Sequence, residues 1–373
     1  MKILHINCNY ITTVLHQTMI ETLESRDISN IVFAPTYDKN KTVIVPNKNV
    51  IVSQCFKKFD RVNYFHKQTK IIRSLEKNLS VNEFDCIHAY TVFTDGNCAM
   101  KLSKKYHIPY LVAVRDTDVN TFFRYMPHLR KKGIEILENA SAVIFLSPAY
   151  KKQLLDSYIP PEKRNLILKK CYIVPNGIDK RWFIHNHAND HISSGDKLRS
   201  KKINAIYVGR ISKRKNIITT QKALSILRNR GWDVRFTVVG GIDDTNEYKN
   251  IIKDKYTEYL EPKTIMELIN IYKRHDIFIM PSHTETFGLV YAEAMSQGLP
   301  VIYTRGQGFD GQFPEGRVGY AVNDNDAESI ADAIIKITES YEMISQNAVV
   351  CARKFNWEDI CDKYKKIYQE III

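Results

Sequence analysis

Short apolar runs rich in β-branched and aromatic residues recur along this chain, and between them apolar positions fall at the spacing of one helix face. The first series is MKILHIN, then a helical stretch to about residue 26, then NIVFAP, DCIHAY, YLVAVR and AVIFLS. A second series follows residue 200: NAIYVG, VRFTVVG, IFIMPS and VIYTR, each leading into a helical segment or a loop. Strands this uniformly apolar do not alternate polar and apolar faces, so they predict parallel sheets covered by helices on both sides. Two such series predict an α/β chain of two doubly wound, Rossmann-like domains.

The stretch between the series, FIHNHANDHISSGDKLRSKK (183–202), is polar and rich in turn formers, which suits a linker. It carries His185, His187 and His191, but no carboxylate or cysteine framework orders them, so a surface linker is expected rather than a metal site. The predicted boundaries are an N-terminal domain over 1–175, an interdomain segment over 176–202 and a second domain over 203–356.

Composition narrows the class. With 373 residues, 44% apolar and 25% charged, the chain suits a globular protein of two ordinary domains. The opening MKILHINCNY has no run long enough for a signal peptide or membrane span, and seven cysteines without a CxxC pair fit neither a disulfide framework nor a zinc site. A cytoplasmic location is expected. The net charge of +13 lies mostly in residues 1–180, which carry +11 of it. That asymmetry admits a polyanion or nucleic-acid binder as a rival reading, but no nucleic-acid motif accompanies it and no nucleic-acid partner is expected. Neither GxGxxG after the first strand nor GxxxxGK[ST] occurs, so nicotinamide and P-loop chemistry are not indicated.

In open parallel sheets ligands sit beyond the carboxyl ends of the strands. Three such turns in the second half carry candidate chemistry. In YVGRISKRKNI the strand ends at Gly209, and Arg210 and Lys215 follow as candidate diphosphate ligands among Lys213 and Arg214. VVGG (238–241) is a second glycine-rich strand end. In PSHTETFGLVYAEAMSQG, Glu285 precedes a helix and Glu293 lies two turns inside it, while the amides of Phe287, Gly288 and Leu289 form an anion-attracting helix N-terminus. A half-buried Glu293 needs a partner, and sugar hydroxyls suit it.

This last segment resembles the E-x7-E signature of the retaining GT-B glycosyltransferases of family 4. IVPNGID (173–179), GRISKRKN and FNWEDICDKYKKIY resemble that group's interdomain segment, donor-phosphate loop and last helix. The match in order and spacing covers roughly residues 170–373, and HAYTVFTDG and VAVRDTDVNTFF extend it more loosely into the first half. The resemblance implies a GT-B fold with two domains facing across a cleft, and a last helix, about 357–373, that returns to the first domain. It also implies transfer of a hexose from a nucleotide-diphosphate sugar to a glycan or lipid-linked saccharide, in surface-polysaccharide assembly, with retention and without a metal cofactor. Arg210 and Lys215 are then expected to neutralise the leaving diphosphate, Glu285 to contact the transferred sugar, and Glu293 to hold the ribose. Gly209 and the 287–289 amides complete the donor set.

In the first domain the chain departs from the group. Arg115 stands where relatives have the histidine of His-Gly-x-Asp, Asp118 keeps the acid, and Tyr10, Thr12, Thr13 and His16 replace a glycine pair after the first strand. Tyr10, His16, Arg115 and Asp118 are the expected acceptor-binding residues, with Arg115 facing either an anionic substrate group or Asp116 and Asp118. Finally, KKFDRVNYFHKQTKIIRSLEK (57–77) has seven basic and two acidic residues interleaved with Val62, Phe65, Ile71, Ile72 and Leu75. It reads as a helix that either lies on the anionic inner face of a membrane or packs on the sheet with a solvated outer face. A non-catalytic nucleotide-sugar binder is the remaining alternative.

Overall fold

The computed structural model describes residues 1–41, 48–184 and 201–372. Contacts divide the chain into two compact units: Met1–Leu146 with Tyr150–Gly177 and Trp357–Ile373, and Ile178–Asn356 with Ser147–Ala149. The predicted linker, with its three histidines, lies largely outside the described residues.

The first unit is built on seven parallel strands: β1 (Lys2–Ile6), β2 (Ser29–Thr36), β3 (Val50–Gln54), β4 (Cys86–Ala89), β5 (Tyr110–Val114), β6 (Ala142–Phe145) and β7 (Cys171–Ile173). Their order is β3-β2-β1-β4-β5-β6-β7. Alternate residues of each strand feed two separate cores. Leu4, Ile6, Ile87, Val112 and Phe145 face one side; Ile3, Val32, Leu111, Ala113 and Ile144 face the other. Burial on both faces explains why these strands read as unbroken apolar runs.

The second unit has six parallel strands: β8 (Lys202–Val208), β9 (Asp233–Val239), β10 (Thr257–Leu260), β11 (Ile277–Met280), β12 (Val301–Thr304) and β13 (Gly319–Val322). They run in the order β10-β9-β8-β11-β12-β13. Each sheet reverses its winding once, between β1 and β4 and between β8 and β11, and a doubly wound sheet opens a crevice at such a reversal.

The Trp357–Ile371 helix belongs to the first unit, where Cys361, Tyr364 and Tyr368 join one core. Arg26 fastens it with bonds of 2.6 Å to both Glu358 and Asp362. Of the two readings of residues 57–77, the helix Tyr64–Asn78 takes the one packed on the sheet. Ile71 and Leu75 are buried in the core, so its apolar stripe packs inward. The exposed apolar residues are instead Phe59, Val62 and Phe65, which cluster at the turn before the helix and in its first turn.

Candidate active site

The crevice of the second sheet is laced together from two strand-end loops. After β8, Gly209 turns at φ 155, and its carbonyl comes within 2.0 Å of where a Cβ on Gly240 would stand. Only glycine at 240 permits this approach of the β8 and β9 ends. Gly209, Gly240 and Gly241 then line a slot of about 390 Å³ with Pro262 and Leu268. Beyond it, residues 213–215 form a single 3₁₀ turn that ends at Asn216, φ 58.

That turn is bound to the loop after β11. The amide of His283 donates to the Arg214 carbonyl at 2.9 Å, and Arg214 Nη1 donates to the Thr284 carbonyl at 2.5 Å. Asn216 Nδ2 donates to the carbonyls of Pro281 and Asp324 at 2.9 and 2.6 Å. Lys215 Nζ pairs with Glu285 Oε2 at 2.5 Å, both side chains close to nine-tenths buried. Glu285 is held in turn by its neighbours: its amide donates to Gln307 Oε1 at 3.0 Å, and its carbonyl accepts from the amide of Gly308 at 2.9 Å.

The helix Leu289–Ser296 starts at Gly288, whose φ of 74 places it in the left-handed region. A Cβ there would meet the Tyr291 ring at 2.5 Å. The Phe287 ring is buried against Phe355, 5.5 Å between centroids, so this residue offers the site its backbone and not its side chain. The amide of Tyr291 donates to the Gly288 carbonyl at 3.0 Å, and the amides before it have no intrahelical acceptor, which leaves them for an anion or a hydroxyl. Glu293 is half-buried one turn further on, and its carboxyl is pushed up to about 7, chiefly by burial and then by Asp179. Arg210 lies apart from the buried pair: its guanidinium is exposed and bound to Asp243 at 2.7 Å.

In the first unit, β4 and β5 each run into a π-helical turn, Val92–Gly96 and Asp118–Phe123. Asp118 ties the two together, accepting from the amides of Arg115, Val92 and Phe93 at 2.9, 3.1 and 3.2 Å. Burial nevertheless pushes its carboxyl up to about 6. Arg115 pairs with neither neighbouring aspartate; its Nε donates to the Tyr90 carbonyl at 3.0 Å. His16 is buried with Nδ1 3.0 Å from Asn7 Nδ2, and Tyr10 sits in the core. Beside these turns lies a cavity of about 770 Å³. Of the four expected acceptor residues only Asp118 lines it, together with residues the sequence did not single out, among them Asn9, Lys67 and several threonines.

Among the described residues no helix is long and apolar enough to cross a membrane, and no group of three or more His, Cys, Asp or Glu could hold a metal ion.

Two doubly wound parallel-sheet domains, the second with a buried cation and a helix N-terminus at its switch point, define a GT-B glycosyltransferase that uses a nucleotide sugar. Comparison with known proteins agrees. The family described as Glycosyltransferase Family 4 matches residues 14–182, and Glycosyl transferases group 1 matches 190–358. The chain belongs to this family 4 type of GT-B glycosyltransferase. It is 24% identical to a D-inositol 3-phosphate glycosyltransferase of Paenarthrobacter aurescens, over 78% of this chain and 73% of that one. Among solved structures it resembles a sucrose-phosphate synthase from Thermosynechococcus elongatus, with a TM-score of 0.77 at 19% identity, covering 99% and 98% of the two chains. Anabaena HepE in complex with UDP-glucose superposes with a TM-score of 0.68 at 16% identity, covering 99% and 100%.

Proposed function

We propose that the protein is a retaining hexosyltransferase that moves a sugar from a nucleotide-diphosphate donor to a glycan or lipid-linked saccharide without a metal cofactor, as a step of surface-polysaccharide assembly. The observation that carries this reading is the buried Lys215–Glu285 pair at the β8/β11 switch point, beside the helix that holds Glu293. In the donor complex Lys215 and Arg210 neutralise the diphosphate, the charge balance a divalent ion supplies elsewhere. Glu285 contacts the transferred sugar, the 287–289 amides hold its hydroxyls or the diphosphate, and Glu293 binds the ribose. The glycine-lined slot at 209 and 240–241 takes the base.

Transfer breaks the bond from the anomeric carbon to the diphosphate oxygen, which keeps both electrons. The acceptor oxygen bonds to the same face, and its proton passes to the departing diphosphate oxygen, so no separate general base is needed. Glu285 acts as an electrostatic and positioning group as positive charge develops on the sugar.

The exposed Phe59, Val62 and Phe65, with Lys57, Lys58 and Arg61 among them, support peripheral docking on the anionic cytoplasmic face of a membrane, where lipid-linked acceptors reside.

The test is thermal stabilisation by UDP-, GDP- and ADP-sugars, with chelator and then with Mg²⁺, on wild type and Glu293→Ala. A ligand at 100 times its Kd adds about 2.7 kcal/mol. A metal-independent shift from one nucleotide class, lost in the variant, is expected. A shift that requires Mg²⁺, or one that Glu293→Ala leaves intact, overturns the assignment.

A further inference from the structure

Lys67 is a mostly enclosed cation without a counter-ion. Its side chain lines the first-domain cavity, and among the described residues it forms no salt bridge or hydrogen bond. Its one close partner is the face of Phe56, with Nζ 4.7 Å from the ring centroid. Burial pushes the Lys67 ammonium below the ordinary lysine value; Cys8 and Asp95 oppose that through space without reversing it, and Arg61 nearby adds to it. Arg61 also lines the cavity and likewise has no carboxylate partner, its guanidinium lying 5.8 Å from the centre of the Tyr37 ring.

The nearby acids do not satisfy this pair. Asp95 acts on Lys67 only through space; its Oδ1 and Oδ2 accept from the Cys8 amide at 3.2 Å and the Thr91 hydroxyl at 3.0 Å. Burial pushes Asp95 up to about 7, which weakens it further as a counter-charge. Asp118 is occupied by its three amides. Lys67, held partly out of water beside the exposed Arg61, is costly without an anion, and the cost is recovered when an anion enters.

Thr94, Thr117 and Thr121 add hydroxyls to the same wall. A lysine, an arginine and hydroxyl donors around one space are the chemistry that grips a phosphate ester and the polyol attached to it. A volume of about 770 Å³ accommodates such a molecule.

We propose that this cavity receives the acceptor through a phosphate ester held by Lys67 and Arg61, so that the acceptor is an anionic sugar or polyol phosphate. The inference rests on the transferase reading for the word acceptor, but the anion site stands on the first domain alone. The phosphate can be carried by a soluble molecule or by a lipid, and the two are separable by experiment.

Binding of glycerol 1-phosphate and of glycerol to the full chain is measured by calorimetry in wild type, Lys67→Met, Lys67→Arg and Lys215→Met. Saturable binding of glycerol 1-phosphate but not glycerol is expected. It weakens by about tenfold or more in Lys67→Met, survives in Lys67→Arg and is unchanged in Lys215→Met. Sedimentation with phosphatidylcholine vesicles, with and without phosphatidic acid, forms the second arm. Loss of phosphatidic-acid-dependent binding in Lys67→Met identifies a lipid-borne phosphate; loss confined to glycerol 1-phosphate identifies a soluble one. If Lys67→Met behaves as wild type in both arms, or only Lys215→Met loses the phosphate, the proposal is wrong. Anion binding at Lys67 in a chain that no nucleotide sugar stabilises would instead sink the transferase reading and leave the anion site standing.

Discussion

Lys215 and Glu285, seventy residues apart in sequence, form a buried ion pair of 2.5 Å across the β8/β11 switch point. Each comes from a different strand-end loop, so a cation proposed for the diphosphate rests against the carboxylate proposed for the sugar. Under the proposed function, donor binding exchanges one partner for another: the phosphate takes up Lys215, and Glu285 turns to the sugar that arrives with it. The arrangement keeps both groups satisfied before the donor enters, at a site where an unpaired charge is expensive.

Removing one member therefore exposes the cost of the other. Lys215→Ala or Glu285→Ala should each lower stability by about 3 kcal/mol, read from urea unfolding, because each leaves a buried charge uncompensated. Lys215→Met with Glu285→Leu should recover most of that stability and none of the transfer activity. A double variant as unstable as the sum of the singles would show that the pair is not a coupled unit.

Glu293 should make the second domain less stable as pH rises. Its carboxyl titrates near 7 in the fold, against an ordinary value of 4.5, so the folded state holds the proton more tightly. The stability it contributes is present in full below about 4.5 and is lost as pH rises through 7. Glu293→Gln should remove a dependence on the order of 2 kcal/mol over that window, measured as the difference between wild-type and variant unfolding curves. Identical pH profiles would contradict the burial assigned to this carboxyl.

The first domain carries the opposite dependence. His5 bonds Asn30 Oδ1 at 2.8 Å and lies 3.1 Å from Tyr90 Oη, while His88 stacks on Tyr90 at 4.2 Å and bonds Tyr368 at 2.7 Å. Burial pushes His5 down to about 4 and His16 down to about 3, with Arg115 adding to the effect on His16. These imidazoles are neutral in the fold, so their contribution is complete above 6.5 and is lost as pH falls toward those values. At pH 5 each should cost about 2 kcal/mol relative to pH 7. His16→Gln should flatten the acid limb of the unfolding midpoint; an unchanged limb would place the acid-sensitive groups elsewhere.

The apolar pattern revealed the nine strands that lie inside the two sheets, because those strands are covered on both faces. It did not reveal β3, β7, β10 and β13, and these are the four sheet edges. The first three are only half covered: Val50–Gln54, Cys171–Ile173 and Thr257–Leu260 contain no fully buried residue, so their composition resembles that of a loop. In the second-domain site, Lys215, Glu285 and Glu293 were legible because their turns follow apolar strands. Gln307, Asn216 and Asp243 were not, since their roles depend on loops distant in sequence. The first-domain residues proved hardest: their place after the first strand, where the resembling group has a glycine pair, marked Tyr10 and His16 as candidates, yet both side chains turn into the core, while Lys67 was hidden within a run of surface-like basic residues.

Phe59 and Val62 are about nine-tenths exposed, which few large apolar side chains of a folded domain are. Because they contribute nothing to the core, Phe59→Ser with Val62→Ser should leave the melting temperature unchanged. Binding to vesicles rich in phosphatidylglycerol should fall about tenfold or more, since two apolar side chains no longer enter the interface. Equal sedimentation of variant and wild type would remove this turn from the membrane-docking surface.

Gly240 offers a test of the donor slot that touches no charge. Its φ of 147 and the Gly209 carbonyl 2.0 Å from the position of an added Cβ leave no room for a side chain. Gly240→Ala must push the β8 and β9 ends apart, at a cost of about 2–3 kcal/mol if the strain is fully absorbed there. The displacement falls on the wall of the slot and on the backbone that leads to Arg210, so donor stabilisation should be lost even where the variant remains folded. Gly231→Ala, at a φ of 83 but with nothing within 4 Å of the new Cβ, is the matched control for backbone strain alone. It should reduce stability and keep the donor-induced shift. If both variants keep that shift, the close approach of Gly209 and Gly240 does not shape the donor site.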